Sequence, residues 1–270
     1  MKPKLVMCNY LSDIGEYQKF VKEHGFSGID WSFDTGLVPQ TPAEESRWVK
    51  NMLTLDPLEV RYHCLFYKMD VGHDDPAEAE AAAMLFRRIV RLISKVRGRY
   101  LTIHIGLGRD STEPLSWEAT ISNLRGLVQF GAEHRVMVCL ENLAWGWTSR
   151  PNLFEKLIRL SGAGVTFDLG HAQSCESILS QQYAVQDFVT PHTDRVFNAH
   201  IYHREVSKLG HLPPENLADI EERLNLLDNI GCRWWVIEIK ETEALLKTKK
   251  IIDAYLLQPN HRKHSMAETL

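Results

Sequence analysis

A single-domain, closed (β/α)8 barrel is the fold predicted by this sequence of 270 residues. Eight apolar, β-rich runs recur from one end to the other, and a helical pattern follows each of them. Strict alternation implies parallel strands, because a parallel pair needs a crossover and a helix is the usual one. The linkers are short, about two to six residues, which leaves no room for an interdomain hinge. Eight such units in one chain of this length fit a closed barrel better than two open sheets.

The strand candidates are KLVMCNY (4–10), SGIDWSF (27–33), EVRYHCLF (59–66), RYLTIHIG (99–106), RVMVCLEN (135–142), GVTFDLG (164–170), RVFNAHIY (195–202) and WWVIEIK (234–240). Amphipathic helical spacing covers 13–24, 42–54, 76–97, 116–133, 152–161, 175–188, 215–229 and 242–256. Thr41 before Pro42 and Asp75 before Pro76 read as capped starts with proline at the first helical position, and Ser116 reads as a third cap. The barrel is expected over 1–258. The polar, aperiodic tail, 259–270, is expected to be mobile.

Composition narrows the function classes. Hydrophobic residues make up 44% and charged residues 24%, the profile of a soluble globular protein. No apolar run approaches the roughly 20 residues of a membrane span, and the amino terminus lacks a signal-peptide core, so a cytoplasmic protein is expected. The five cysteines are scattered without a C-x-x-C pair, which gives neither a disulfide framework nor a thiolate zinc site. Cys8, Cys64 and Cys139 read as buried core thiols. With 31 basic against 35 acidic residues the net charge is −4, which offers no long-range attraction to nucleic acid.

Period-two alternation sorts the strand residues into a helix-facing and an inward set. On the fifth strand Val136, Val138 and Leu140 face out while Met137, Cys139 and Glu141 face in. The same reading turns Thr102 and His104, Thr166 and Asp168, and Asn198 and His200 inward. Val236 shares a face with Glu238, and His63 ends the third strand in the same manner. Ionisable groups thus take the last inward position at the carboxy-terminal rim, where barrel enzymes keep their chemistry. Any one of them alone reads as a solvated loop residue. Together the carboxylates would repel one another unless a cation lay between them. Glu141, Asp168, His200 and Glu238 make an oxygen-rich set with one imidazole, suited to Mn²⁺, Mg²⁺ or Co²⁺. His63 and His104 would add a second site and favour Zn²⁺.

Six motifs then resemble, in order and spacing, those of the xylose-isomerase-like barrel superfamily: HIGLG (104–108), CLENL (139–143), TFDLGHA (166–172), NAHIYH (198–203), LGHLPPE (209–215) and VIEIK (236–240). That superfamily holds sugar and sugar-phosphate isomerases and epimerases, hydroxypyruvate isomerase, inosose dehydratase and the endonuclease IV abasic-site nucleases. The resemblance implies that Glu141, Asp168, His200 and Glu238 ligate metal, with Glu141 and Glu238 transferring protons across an enediolate. His171 would contact substrate and donate to the developing oxygen, or else orient Asp168.

In the nuclease branch His63 and His104 complete one zinc site, and His171 and His211 contribute to a third. That third site needs an aspartate two residues before the last histidine, where this chain has Leu209. The departure favours a small carbohydrate-like substrate over nucleic acid. An endonuclease IV-like phosphodiesterase and a non-catalytic, metal-binding accessory barrel stand as the alternatives. Trp31, Trp145 and Trp147 either cover a sugar face or pack loops. Asn142, Arg109 and Lys240 are the remaining candidate substrate contacts, and Gly106 and Gly108 either hold a phosphate or shape the loop. No membrane partner is expected, and no oligomeric interface is legible.

Overall fold

A computed structural model describes residues 2–11 and 13–258. The expected tail over 259–270 lies outside the described residues. The described residues form ten strands in chain order: β1 (Lys4–Cys8), β2 (Gly28–Phe33), β3 (Glu59–Cys64), β4 (Tyr100–Ile103), β5 (Met137–Glu141), β6 (Gly164–Asp168), β7 (Val196–Ile201), β8 (Arg204–Val206), β9 (Gly210–Leu212) and β10 (Trp234–Ile237). Eight of them close into a barrel in the order β1-β10-β7-β6-β5-β4-β3-β2, and every pairing in it is parallel. β8 and β9 form a separate antiparallel hairpin over the carboxy-terminal mouth. The sequence pattern did not announce that hairpin, because its three-residue strands are too short to show alternation.

The helices are α1 (Ile14–His24), α2 (Pro42–Leu53), α3 (Pro76–Lys95), α4 (Trp117–Glu133), α5 (Pro151–Ser161), α6 (Leu169–Ser174), α7 (Glu176–Leu179), α8 (Glu221–Asn229) and α9 (Thr242–Leu256). All three expected caps are formed. Thr41 and Glu44 make a reciprocal capping box at α2, the Asp75 side chain accepts from Ala77 N, and Ser116 Oγ accepts from Ala119 N.

Two helical expectations are corrected. A single helix over 175–188 gives way to α6, α7 and a 3-10 turn at Val185–Phe188, because the Asp168 side chain caps a helix directly at the end of β6. The helix over 215–229 begins later, at Glu221. Upstream, the Asn216 and Asp219 side chains hold a 3-10 turn at Leu217–Asp219 by accepting backbone N–H groups.

The main core lies between barrel and helices and is built from the outward residues of each strand, Ile29, Tyr62, Leu101, Val138, Val165, Ala199 and Trp235 among them. Inside the barrel the apolar contribution is small: Val6, Trp234 and Val236. Apart from buried thiols such as Cys139, the rest of that interior is largely polar. Arg61 Nη1 donates to Asn198 Oδ1 (2.6 Å) and Phe197 O (2.8 Å), its guanidinium lies over the Tyr100 and Trp234 rings, and the Thr102 and Thr166 hydroxyls share a 2.7 Å hydrogen bond. This floor ties β3, β4, β6 and β7 together directly beneath the rim. Met137, expected inward, is partly exposed because it opens β5 at the opposite mouth. All five cysteines are buried and unpaired. No helix among the described residues is long and apolar enough to cross a membrane.

Candidate metal centre and active site

The inward rim residues converge. His63 sits within β3, Glu141 and Asp168 end β5 and β6, His200 is the penultimate residue of β7, and His104 and Glu238 follow β4 and β10 by one residue. His63 Nε2 and His104 Nε2 approach to 2.8 Å, and both face Glu141 Oε2, at 3.2 and 3.0 Å. The other oxygen of Glu141, Oε1, lies 3.1 Å from His200 Nδ1. Glu238 Oε2 and Asp168 Oδ2 face that same nitrogen at 3.3 and 3.8 Å. Glu141 therefore belongs to two donor sets, His63/His104/Glu141 and Glu141/Asp168/His200/Glu238, each with ligating atoms within 4.8 Å of one another.

Local structure aims these groups. Asp168 Oδ1 is spent on the α6 cap, accepting His171 N at 2.7 Å, while Oδ2 is buried in the cluster without a hydrogen-bond partner. Asn142 clamps the same residue, its Oδ1 accepting Asp168 N (2.8 Å) and its Nδ2 donating to Asp168 O (2.9 Å). Burial, then the Glu141 and Glu238 charges, push the Asp168 carboxyl well above its ordinary range. Burial alone would raise Glu141 too, but the His200, His104 and His63 imidazoles outweigh it and hold it well below. Burial opposes a charged His200, yet Glu141 and Glu238 keep it well above the usual histidine value. An orphaned carboxylate oxygen among three buried acids is a donor set that a divalent cation satisfies.

A third set brings in an acid that the sequence pattern did not single out, Glu205. His171, Glu205 and His211 hold ligating atoms within 4.8 Å of one another. His171 Nδ1 donates to Asn142 O (3.1 Å) and His211 Nδ1 donates to Glu238 O (2.9 Å); carbonyls only accept, so each Nδ1 carries a proton and Nε2 is the atom each ring has left to offer a cation. This corrects two expectations. A neutral His171 offers Nε2 as an acceptor where a donor was expected; His211 stands beside His171, as the third zinc site of the nuclease branch implies, and a place for it with His63 and His104 is the reading that is corrected. Burial pushes His171 down to about 4, so its ring is neutral. The absence of an acid at Leu209 is also less telling than it looked. Leu209 is exposed at the hairpin turn, whereas Glu205 pairs with His211 across the ladder, its Oε2 3.3 Å from His211 Nε2. A signal existed in the sequence: an acid six residues before His211.

The candidate substrate contacts divide. Trp31 lies inside β2 on the helix-facing side and packs against Tyr17 of α1, so alternation removes it from the mouth. Asn142 has both side-chain polar atoms committed to Asp168 and serves as a clamp. Arg109 is latched to Asp70, which also accepts Gly106 N at 2.6 Å. Gly106 and Gly108 have positive φ, and a side chain at Gly108 would collide with the Tyr67 ring, so loop geometry explains them. Lys240 is exposed at the rim. Trp145 packs edge-on against His171 at 5.6 Å, and Trp147 against Trp117 at 5.1 Å. Trp145, Trp147, Arg109, Arg150, Gln182 and Tyr183 line a cavity of about 840 Å³ that adjoins the cluster through Trp145.

The closed parallel barrel carries buried carboxylates and imidazoles at its carboxy-terminal mouth that could hold a metal ion. The chain belongs to the family described as xylose isomerase-like TIM barrel, whose model matches residues 18–255. An uncharacterized protein of Methanocaldococcus jannaschii, MJ0008, is 31% identical over 166 residues, covering 61% of this chain and 70% of that protein. Among solved structures, an L-ribulose 3-epimerase superposes with a TM-score of 0.71 at 15% identity, covering 100% of this chain and 99% of its own. Endonuclease IV from Thermus thermophilus gives 0.67 at 15%, covering 94% and 99%. The IOLI protein with a binding zinc atom gives 0.71 at 12%, covering 93% and 97%. At these identities the structural likeness shows a shared fold.

Proposed function

We propose that this chain is a divalent-metal-dependent isomerase or epimerase that moves a proton on a carbohydrate-like small molecule, such as a sugar, a sugar phosphate or a hydroxy-keto acid. The observation that carries the reading is the inequality of its two glutamates. Glu141 is 1% exposed and has both oxygens engaged by imidazoles, whereas Glu238 is 8% exposed and stands at the rim. Glu238 is therefore the carboxylate a substrate reaches. Mn²⁺, Mg²⁺ or Co²⁺ suits the Glu141/Asp168/His200/Glu238 set, and Zn²⁺ suits a centre that includes His63 and His104.

A cation held there would supply Lewis-acid polarisation of a substrate carbonyl. Glu238 takes the proton from the adjacent carbon and returns it. The proton return from the other face that the family resemblance implies for Glu141 would require it to give up one of its imidazole partners, His104 or His200. The neutral His171 accepts a substrate hydroxyl at Nε2, and Trp145 screens that contact from water. Sugar epimerases share this barrel, which supports a carbohydrate-like substrate for the cavity beside Trp145.

The test is solvent-deuterium incorporation across a panel of ketoses, their phosphates and hydroxy-keto acids. Exchange at one carbon, abolished by Glu238→Gln assayed at an ion concentration that saturates the variant, is expected; exchange retained in that variant sinks the assignment. Metal content with no turnover on any panel member would indicate an accessory barrel. A second reading, a metal-dependent phosphodiesterase, is favoured by the His171, Glu205 and His211 donor set. It predicts cleavage of abasic duplex or a phosphodiester analogue by protein carrying more than one cation.

A further inference from the structure

We infer that Asp30 is a positioning residue: its buried carboxylate is placed to accept a hydrogen bond from His200 Nε2–H, so that Nδ1 is fixed toward the cation. The inference rests on the metal-site reading above. His200 turns Nδ1 toward Glu141, Glu238 and Asp168. A neutral imidazole that ligates through Nδ1 must carry its proton on Nε2. That Nε2 is buried and has no hydrogen-bond partner. Among the described residues, the acid grouped with the His200 and His63 nitrogens, apart from the metal-facing set, is Asp30, with ligating atoms within 4.8 Å. Asp30 Oδ2 is itself buried without a hydrogen-bond partner.

Register explains the placement. Asp30 pairs with Arg61 on β3, two residues below His63, so it faces inward one layer beneath the rim. The two orphaned atoms complement each other, one a required donor and the other an acceptor for which the buried Trp234 Nε1–H is the competing donor. A carboxylate in this position fixes the tautomer and ring orientation of a ligating histidine and increases its basicity. The groups that act on the Asp30 carboxyl include His200, His63 and the Trp234 indole, which marks the rival explanation: a purely structural acid packed on the barrel floor.

The experiment is Co²⁺ titration of metal-free protein, followed by calorimetry and the visible d–d spectrum, with circular dichroism and thermal melting as fold controls. Asp30→Ala is expected to bind Co²⁺ about 10–100-fold more weakly than wild type, with a shifted spectrum. Asp30→Asn keeps an acceptor oxygen and is expected to fall between the two. Should the alanine variant fail to fold, the near-isosteric asparagine variant decides alone, by loss of affinity and a shifted band. A folded variant that binds within twofold of wild type and shows the same spectrum overturns the role of Asp30 while leaving the metal site standing, even if its melting temperature drops. Wild-type protein that binds no Co²⁺ overturns the metal reading and this inference with it.

Discussion

Glu141→Gln is the substitution on which the metal centre can be judged most directly. Glu141 gives Oε2 to the His63/His104 set and Oε1 to the His200 set, at 3.0–3.2 Å from the imidazole nitrogens. Glutamine preserves the volume but replaces one of those oxygens with an NH2 group, which donates and cannot ligate. It also removes a unit of charge facing the cation. Two unit charges about 4 Å apart interact by about 4 kcal/mol at an effective dielectric near 20. A hundredfold loss of affinity corresponds to only about 2.7 kcal/mol and is therefore a conservative expectation.

Binding to the folded state alone stabilises by RT ln(1 + [L]/Kd), about 2.7 kcal/mol when ligand is at a hundred times Kd. For a chain of this size each kcal/mol moves Tm by about 2–4 °C, so the wild-type shift should be roughly 5–11 °C. The same ion concentration acting on a variant weakened a hundredfold leaves about 0.4 kcal/mol, or about 1–2 °C. Calorimetric melts of chelator-treated protein, each variant compared with itself plus and minus Mn²⁺, Co²⁺ or Zn²⁺, read the difference without interference from baseline stability. Equal shifts in both proteins would refute the bridging role, and no shift in wild type with any of these ions would refute the centre.

Asn142→Ala strips the clamp from Asp168 and leaves its buried N–H and C=O unpaired, a loss of about 1–3 kcal/mol for each group left unsatisfied. Urea midpoints should fall, and metal affinity with them, since the Asp168 backbone is what aims its free oxygen; a midpoint unchanged from wild type contradicts the clamp. His171 gives a pH dependence of known sign. Its folded value is lowered from 6.5 to about 4, chiefly by burial, so its contribution to stability is complete above about 6.5 and is lost as pH falls toward 4. Metal-free wild type should lose more stability between pH 7.5 and 4.5 than His171→Gln does, by about 3 kcal/mol at most; parallel curves would show that His171 is free to protonate in the fold.

The barrel was legible because its signals are local and repeat. Each strand run carries its own alternation, and Glu141, Asp168 and His200 could be placed inward from their neighbours Leu140, Phe167 and Ile201 alone. The same rule, applied within β2, keeps Trp31 out of the mouth and puts Asp30 in it. The sequence run 27–33 already reaches the end of β2 at Phe33, so placing Trp31 over a sugar leaves that strand's alternation unread, and that one omission hides both facts. Asn142 and Arg109 as substrate contacts, and His171 as a donor to substrate, are misread for another reason. Their residue types fit substrate contact, but their hydrogen bonds are already committed to Asp168, Asp70 and Asn142 O. Commitment of a donor is a property of three-dimensional neighbours and leaves no mark on spacing.

Glu205 shows the same limit at the level of chemistry. Its pairing with His211 depends on the turn between β8 and β9, where Lys208 and Gly210 both take positive φ and Leu209 N donates to Val206 O. A slip of one residue in that ladder would present Arg204 or Val206 to His211 and remove the acid from the third set. The sets are also linked: Glu141 joins the first to the second, and His211, bonded to Glu238 O with its Nδ1 3.7 Å from Glu238 Oε2, joins the second to the third. Charge placed in the hairpin set therefore acts on the carboxylate assigned to proton transfer. A cation between His171, Glu205 and His211 would hold Glu238 ionised but draw its electron density away from a substrate proton, weakening it as a base. The same cation would strengthen a site built to neutralise a phosphate. Occupancy of the hairpin set is thus the variable that separates a proton-transferring barrel from a hydrolytic one.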